Sequence, residues 1–252
     1  MTTTVIKDAA WVIAWDEGAS RQIFPTKTMR SSATAMSHMT GLYERSQAFS
    51  APNDMARAAS AEFAYCELLL SGVTSLVDIS PAWNGWVELL AESGLRGFLA
   101  PGYASARWRL DNDYAVGFTW DEALGREAFA AALGLVDRAG QHPCRRLSGI
   151  VSPMQIDTCT AEPLRDSRDA ARKRRLPFTV HVAQSVAEVQ EMLHRHGKTP
   201  VQWADAIGIL GPETILGHAL FLDTHSWVRT DLGIIAESKV TTLDQAAAGR
   251  RL

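Results

Sequence analysis

The pattern of hydrophobic and polar positions along this chain contains two short apolar runs, each of which ends on or near a histidine. Residues 176–184 (LPFTVHVAQ) have a β-branched core around His181, which predicts a buried strand. A helix is predicted next, because apolar residues recur at helical spacing between Ser185, a good N-cap, and Gly197. Residues 213–218 (ETILGH) form the second run and end on His218. Since functional residues project from the C-terminal ends of strands in parallel α/β barrels, these two histidines are candidates for one site.

The same alternation of strands and helices extends over most of the chain. Residues 3–15 predict two short strands with a turn, whereas residues 16–52 show no clear periodicity. From residue 53 onward the alternation is regular, and Ala100 to Trp108 is predicted to be a loop. Helices are predicted over 53–71, 86–93, 121–139, 160–175, 185–197 and 231–238 with a short one opening at Pro200, and strands over 73–79, 95–99, 147–154, 176–184, 213–218 and 239–243.

Composition and charge narrow the possible partners. With 252 residues, of which 46% are apolar, the chain can bury one large core. A net charge of −3 gives no reason to expect nucleic acid, and no apolar run approaches the roughly 20 residues that cross a membrane. The N-terminus lacks the layout of a signal peptide, and the three cysteines show no disulfide or zinc spacing. We therefore expect a cytoplasmic protein that binds neither nucleic acid nor membrane.

Three segments together resemble a known superfamily. ELLLSGVTSLVD at 67–78, VHVAQ at 180–184 and ILGH at 215–218 resemble, in this order, the metal-dependent amidohydrolases. The nearest branch contains chlorohydrolases and deaminases of triazines, cytosine and adenosine-like compounds. The resemblance implies an α/β fold, a partial TIM-type (β/α)8 barrel with strands two to six clear and a remnant of the flanking β-sandwich. It divides the chain into sandwich strands at 1–20, an irregular segment at 21–52 and an incomplete barrel at 53–252, as expected of a truncated member.

The resemblance also implies a metal site. Members of this superfamily bind a divalent metal, zinc or iron, through a His-x-His pair on strand one, single histidines on strands five and six, and an aspartate on strand eight. His181 and His218 match the strand-five and strand-six ligands. No His-x-His pair lies where strand one would be, and strand eight would fall beyond Leu252. His38 is alone in a polar segment and is predicted to be solvated, and no catalytic residue is assigned.

The activity implied by the resemblance is hydrolysis of a non-peptide C–N bond, or a C–Cl bond, in a small cyclic or amide-like compound. Many relatives carry a proton-donating glutamate three residues after the strand-five histidine. Here that position is Gln184, which can orient a substrate but cannot donate a proton as an acid. Glu188, one helical turn further on, could take the place of this acid, but it is interpreted as a capping or surface carboxylate. Further candidates for substrate contact are Tyr103, Arg107, Trp108, Gln155 and His225.

Two alternatives to an active hydrolase stay open. The chain could be a catalytically inactive relative that acts at most as a binding or interaction module, or a protein that binds no metal and whose histidines are structural. Metal content separates the hydrolase from both. An open barrel exposes strand edges and apolar surface, so we also expect a homo-oligomer that covers those edges.

Overall fold

The computed structural model describes residues 14–16, 21–23, 53–109, 116–223 and 230–243. The chain separates into two units, Met1–Ala51 with Arg109–Gly117, and Pro52–Trp108 with Phe118–Leu252. In the first unit, strands β1 (Ala14–Asp16) and β2 (Arg21–Ile23) pair antiparallel. The predicted strand pair at 3–15 lies mostly outside the described residues. Strand β2 falls in the segment without predicted periodicity, because three residues are too few for a pattern and the strand is defined by its pairing with β1.

The second unit alternates strands and helices, which confirms the predicted α/β class. Its strands are β3 (Ser75–Pro81), β4 (Arg96–Tyr103), β5 (Ala106–Arg109), β6 (Gly117–Trp120), β7 (Leu147–Gly149), β8 (Ser152–Pro153), β9 (Phe178–Val182), β10 (Thr214–His218) and β11 (Thr241–Leu243). Its helices are α1 (Asp54–Leu70), α2 (Trp86–Glu92), α3 (Glu122–Gln141), α4 (Ala161–Arg174), α5 (Val186–His196), α6 (Pro200–Ala206) and α7 (Asp231–Ser238), with a 3-10 turn at Ile156–Thr158.

The strands of the main sheet are parallel and neighbour each other in chain order. Strand β3 pairs with β4, which pairs with both β7 and β8. Single bridges from Val151 to Phe178 and from Gln155 to His181 connect this part to β9, which pairs with β10, and β10 pairs with β11. Among the described strands, β3 and β11 each have one neighbour, so the sheet does not close there. Because these strands are parallel, their C-terminal ends all lie at the same edge of the sheet.

Alternation along β9 explains which face is covered by helices. Phe178, Val180 and Val182 are fully buried in the main apolar core, together with residues of α4, α5 and α6. The intervening Thr179 and His181 lie on the opposite face, because successive side chains of a strand point to opposite sides. A second core forms where α1, α2 and α3 cover β3 and β4. None of the helices in the described part of the chain combines the length and apolar character that a membrane crossing needs.

The prediction of a loop from Ala100 to Trp108 is wrong. Strand β4 continues to Tyr103, and β5 begins at Ala106 and pairs with β6 in a separate two-stranded sheet. The backbone at Gly102 pairs with Pro81 of β3 on one side and with Ser152 of β8 on the other. These long-range backbone hydrogen bonds outweigh the local turn preference of the Pro101–Gly102 pair.

A buried polar network fixes the first two helices onto the sheet. The carboxylate of Asp78, on the helix side of β3, accepts hydrogen bonds from Tyr65 Oη of α1 (2.5 Å) and from Trp86 Nε1 of α2 (2.8 Å). Burial, followed by the neighbouring Asp78, raises the pKa of the Tyr65 phenol well above its ordinary value, so the phenol stays a donor. Because the donors come from two different helices, one carboxylate positions both.

Replacing Tyr65 by phenylalanine is expected to lower the free energy of unfolding by about 1–2 kcal/mol, since a hydrogen bond to a charged acceptor is lost while the ring stays buried. Urea unfolding followed by tryptophan fluorescence measures this change. An unchanged midpoint would mean that the bond from Trp86 alone satisfies Asp78.

Candidate metal and active site

The two strand-end histidines meet at the carboxyl edge of the sheet. In the parallel register of β9 and β10, Gly217 pairs with His181 and His218 pairs with Val182. The Nδ1 atom of His181 lies 3.0 Å from the Nε2 atom of His218, and the ring centroids are 4.9 Å apart at an interplanar angle of 61°. The structure thus brings together the two histidines that end the predicted strands, although two helices separate those strands along the chain.

Strained turns follow both strands. Ala183, His218 and Ala219 adopt left-handed backbone conformations, with φ of 55°, 72° and 51°. Each such residue other than glycine costs on the order of 1 kcal/mol or more and persists only where its surroundings fix it. Here the Ala219 N–H donates to the Val182 carbonyl (3.0 Å), and the carbonyl of Ala183 accepts from Leu220 and Phe221. These hydrogen bonds join the two turns, so each turn stabilises the backbone conformation of the other.

Burial keeps His181 neutral. Desolvation, followed by the proximity of His218, lowers the pKa of His181 from 6.5 to about 4. The Nε2 atom of His181 is buried, and no hydrogen-bond partner is found for it within the described ranges. Either ring can donate the proton of the hydrogen bond between them, because the donor depends on the tautomer. Neutral imidazole is the form that binds metals.

The geometry of the pair fits two ligands of one divalent metal. Two nitrogens bound to zinc at about 2.0–2.1 Å and near-tetrahedral angles lie about 3.4 Å apart. The observed separation of 3.0 Å is a few tenths of an ångström shorter and needs only a small movement of the rings. Across the residues that the structure describes, no group of three or more His, Cys, Asp or Glu side chains forms a candidate metal cluster. Among the described residues, two histidine nitrogens are therefore available as ligands for such a metal.

Two buried carboxyl groups lie close to this edge of the sheet. Glu188 and Asp157 are each 1% exposed. Glu188 accepts backbone hydrogen bonds from Ala183 (2.6 Å) and Gln184 (3.1 Å). Burial, followed by repulsion from Asp157, raises the pKa of Glu188 to about 8. Burial likewise raises the pKa of Asp157 to about 6, although Trp108 Nε1 donates to its Oδ2 atom at 3.0 Å.

Of the two interpretations of Glu188, the surface one is wrong: the side chain is 1% exposed and caps the backbone just before the helix by accepting the N–H groups of Ala183 and Gln184. The capping role of Ser185 is as predicted, since its hydroxyl accepts from the Glu188 N–H at 3.2 Å. The Glu188 side chain, however, turns inward to the backbone of the preceding turn. Its spacing of four residues from the fully buried Met192 was the available signal, because residues i and i+4 share a helix face.

Gln184 and Gln155 lie close to His181 along the backbone. Gln184 follows His181 by three residues, and its Nε2 atom is buried, with no hydrogen-bond partner found for it among the described residues. Gln155 begins the 3-10 turn and pairs with His181 through a single parallel bridge. These two predicted substrate contacts are therefore brought to the histidine edge.

The other predicted substrate contacts lie elsewhere or outside the described residues. Tyr103 is buried in the main core, and its hydroxyl donates to Ser167 at 2.6 Å, so it packs against helix α4 rather than facing the histidines. Arg107 and Trp108 lie on β5, where Arg107 is exposed and Trp108 is half-buried against Asp157. His225, like His38, is outside the part of the chain that the structure describes.

Arg195 of α5 anchors the β5–β6 sheet next to this region. Its guanidinium lies 4.8 Å from the ring centroid of Phe118 and 4.9 Å from that of Trp120, and Nη1 donates to the Asp157 carbonyl at 2.9 Å. The flanking His194 and His196 have the spacing of a His-x-His pair, but they lie at a helix C-terminus, where His196 stacks on Trp203. They do not join the histidine pair at the strand ends.

The Amidohydrolase family model matches residues 35–251 of this chain, a range that includes both strand-end histidines. The chain belongs to this family. Family membership was predicted from the same strand-end motifs.

Relatives matched over part of their length are named as deaminases. A 5-methylthioadenosine/S-adenosylhomocysteine deaminase 2 of Archaeoglobus fulgidus is 29% identical over 175 residues, which cover 69% of this chain and 38% of that protein. A 5'-deoxyadenosine deaminase of Methanothermobacter thermautotrophicus is 26% identical over 74% of this chain and 39% of its own length. The chain thus spans about two fifths of these relatives.

Solved structures of the same fold include two that contain zinc. An adenosine deaminase from Xanthomonas campestris with bound zinc matches 76% of this chain and 40% of its own, with a TM-score of 0.58 and 18% identity. An atrazine chlorohydrolase from Arthrobacter aurescens complexed with zinc matches 85% of this chain and 47% of its own, with a TM-score of 0.61 and 16% identity. At this level of identity, the likeness shows the fold.

Proposed function

We propose that this chain forms the metal-binding part of a hydrolase that acts on a non-peptide C–N bond of a small cyclic or amide-like compound. The observation that carries the proposal is the pair of His181 and His218, whose ring nitrogens face each other at the carboxyl ends of adjacent parallel strands. Family membership and the deaminase names of the relatives support the bond type. Because the chain spans about two fifths of those relatives, the complete activity is a proposal.

The residues at this edge divide the chemistry between them. His181 and His218 would hold a divalent cation, zinc or iron, which supplies Lewis-acid activation of water near neutral pH when bound. Burial keeps His181 unprotonated and therefore able to bind it. Gln184 orients a substrate through hydrogen bonds but supplies no acidic proton. Gln184 therefore argues against deamination of a heterocycle, whose ring nitrogen takes up a proton, and leaves hydrolysis of amide-like C–N bonds open.

We also propose that the parallel sheet corresponds to strands two to six of a (β/α)8 barrel, and that β1 and β2 are a remnant of the flanking sandwich. The barrel portion then extends over 53–252 as proposed from the resemblance, after sandwich strands at 1–20 and the segment at 21–52. Two features support self-association: β3 has no second neighbour among the described strands, and Val77 and Phe98, on the side away from the helices, are 46% and 39% exposed.

Metal content measured by elemental mass spectrometry tests the proposal. The purified chain is expected to carry about one zinc or iron per molecule, and the His181→Ala/His218→Ala double variant is expected to carry none, because three or more ligands normally hold such a metal and two of them are removed. His194→Ala is the matched control, since its side chain is 88% exposed at a helix end. A wild-type protein that takes up no metal would contradict the proposal.

An inactive binding module is the second candidate, and Gln184 in place of an acidic residue favours it. The purified chain is assayed with amide, aminoheterocycle and chloroheterocycle compounds. If it binds metal and hydrolyses any of them, it is an enzyme. A chain that binds such compounds without turnover, measured by calorimetry on the same samples, is a module. Light scattering on these samples reports whether the chain self-associates.

A further inference from the structure

The carboxylate of Glu188 lies beneath the turn that follows His181. Its Oε1 atom accepts the N–H of Ala183 at 2.6 Å and its Oε2 atom accepts the N–H of Gln184 at 3.1 Å, so one side chain holds two consecutive backbone amides. The Glu188 N–H is itself bound by the Ser185 hydroxyl at 3.2 Å, which fixes the first turn of α5. A buried carboxyl group therefore holds the backbone of a strained turn.

The turn held by Glu188 also holds the turn after His218. The carbonyl of Ala183 accepts the N–H groups of Leu220 (3.1 Å) and Phe221 (3.0 Å), and the neighbouring Val182 carbonyl accepts the N–H of Ala219 (3.0 Å). Both turns contain left-handed residues other than glycine, which relax unless hydrogen bonds fix them. A continuous chain of hydrogen bonds therefore runs from Glu188 through Ala183 to the backbone that follows His218.

We propose that Glu188 is a positioning residue for the histidine pair, which it acts on through these two turns. By holding the amides of Ala183 and Gln184, the carboxylate fixes the backbone after both strands and so sets the separation of His181 Nδ1 and His218 Nε2. This inference rests on the proposed metal site for its functional consequence, while its structural part stands without any metal. Groups that orient metal ligands from behind commonly change metal affinity when they are removed.

Amide hydrogen exchange on the metal-free protein, resolved by NMR, tests the structural part. In Glu188→Ala, exchange is expected to quicken at Ala183 and Gln184 and also at Ala219, Leu220 and Phe221, whereas the amides of α3 keep their wild-type protection. Ser185→Ala is the matched control, because it removes the cap of the same helix and leaves the carboxylate in place. Faster exchange confined to Ala183 and Gln184 overturns the proposal.

Glu188→Gln is a second variant that tests the same proposal if Glu188→Ala does not fold. Its amide oxygen can accept one of the two backbone bonds but its amino group cannot accept the other, so intermediate exchange rates are expected at both turns. Rates equal to wild type at the second turn would contradict the proposal even if the alanine variant is unfolded.

Zinc titration separates this inference from the proposed function. If the wild type binds zinc, Glu188→Ala or Glu188→Gln is expected to weaken binding by about 10- to 100-fold, with Ser185→Ala close to wild type. Unchanged affinity together with altered exchange would overturn the link to the metal. If the wild type binds no zinc, the proposed function fails, whereas the exchange rates still decide whether Glu188 couples the two turns.

Discussion

Between pH 6.5 and pH 8, the free energy of unfolding of the metal-free protein is expected to fall by about 1.5 kcal/mol. The cause is the buried carboxyl group of Glu188, whose pKa is raised from 4.5 to about 8 by burial and by Asp157. In this window the folded protein keeps a proton on Glu188 that the unfolded chain has already released. Since the folded state binds more protons, each pH unit costs up to about 1.36 kcal/mol of stability.

The other groups whose pKa values are shifted by folding change the stability mainly below pH 6.5 or above pH 8. The pKa of Asp157 is raised from 3.8 to about 6, so this group lowers the stability as the pH rises between these two values. Most of its effect is therefore complete at pH 6.5. The lowered pKa of His181, about 4 instead of 6.5, makes stability rise with pH between these values and so opposes the carboxyl groups there. Burial raises the pKa of the Cys159 thiol from 9.0 to about 12, which affects stability only at higher pH. Glu188 therefore makes the largest contribution to the slope from pH 6.5 to pH 8, and His181 and His196, whose lowered pKa values act in the opposite direction, reduce it slightly just above pH 6.5.

Urea unfolding at half-unit pH intervals, with a chelator present, measures this slope. Glu188→Gln cannot titrate and is expected to flatten the dependence over the same interval. Asp157→Asn is the matched control, because it removes a neighbouring buried carboxyl whose own titration lies at lower pH, and it is expected to retain most of the slope. A wild-type stability that rises from pH 6.5 to pH 8 would show that Glu188 is ionised in the folded protein.

The order of elements could be predicted from the sequence because it follows from local periodicity. The α/β alternation and the placement of His181 and His218 at strand ends need only the spacing of apolar residues and the rule that parallel strands share their carboxyl edge. The helix cap at Ser185 is equally local, and its side chain accepts the expected backbone hydrogen bond.

Features that depend on contacts distant along the chain could not be predicted. The hydrogen bond from Trp108 to Asp157 joins residues 49 positions apart, and the extension of β4 through Pro101 depends on two neighbouring strands. Tyr103 was assigned to a loop for the same reason and instead packs in the core. The polar identity of Glu188 concealed its burial, since a glutamate three residues after a serine is typical of an exposed capping box.

A valine at position 217 is expected to disrupt the histidine pair. Gly217 pairs with His181 across the β9–β10 ladder, and its side chain would point to the same face as the imidazole. A Cβ atom there would lie 3.4 Å from both Cα and Cγ of His181 and 3.5 Å from Cδ2, which is already ordinary contact distance. The γ methyl groups of valine extend beyond this position into the imidazole, so the His181 ring must move away from His218. We expect zinc affinity to fall by about 10- to 100-fold, as for the loss of other ligand-orienting contacts.

Alanine at the same position is the matched control, because a single methyl group fits at van der Waals distance and its affinity should stay close to that of the wild type. Thermal unfolding of the metal-free proteins separates a local effect from a global one: the valine variant should remain folded, since β10 accommodates β-branched residues at Thr214 and Ile215. If the valine variant binds zinc as tightly as the alanine variant, the metal does not lie on this face of the strands. Equal loss in both variants would instead show that position 217 tolerates no side chain, because the ring of His181 already fills all the space beside it.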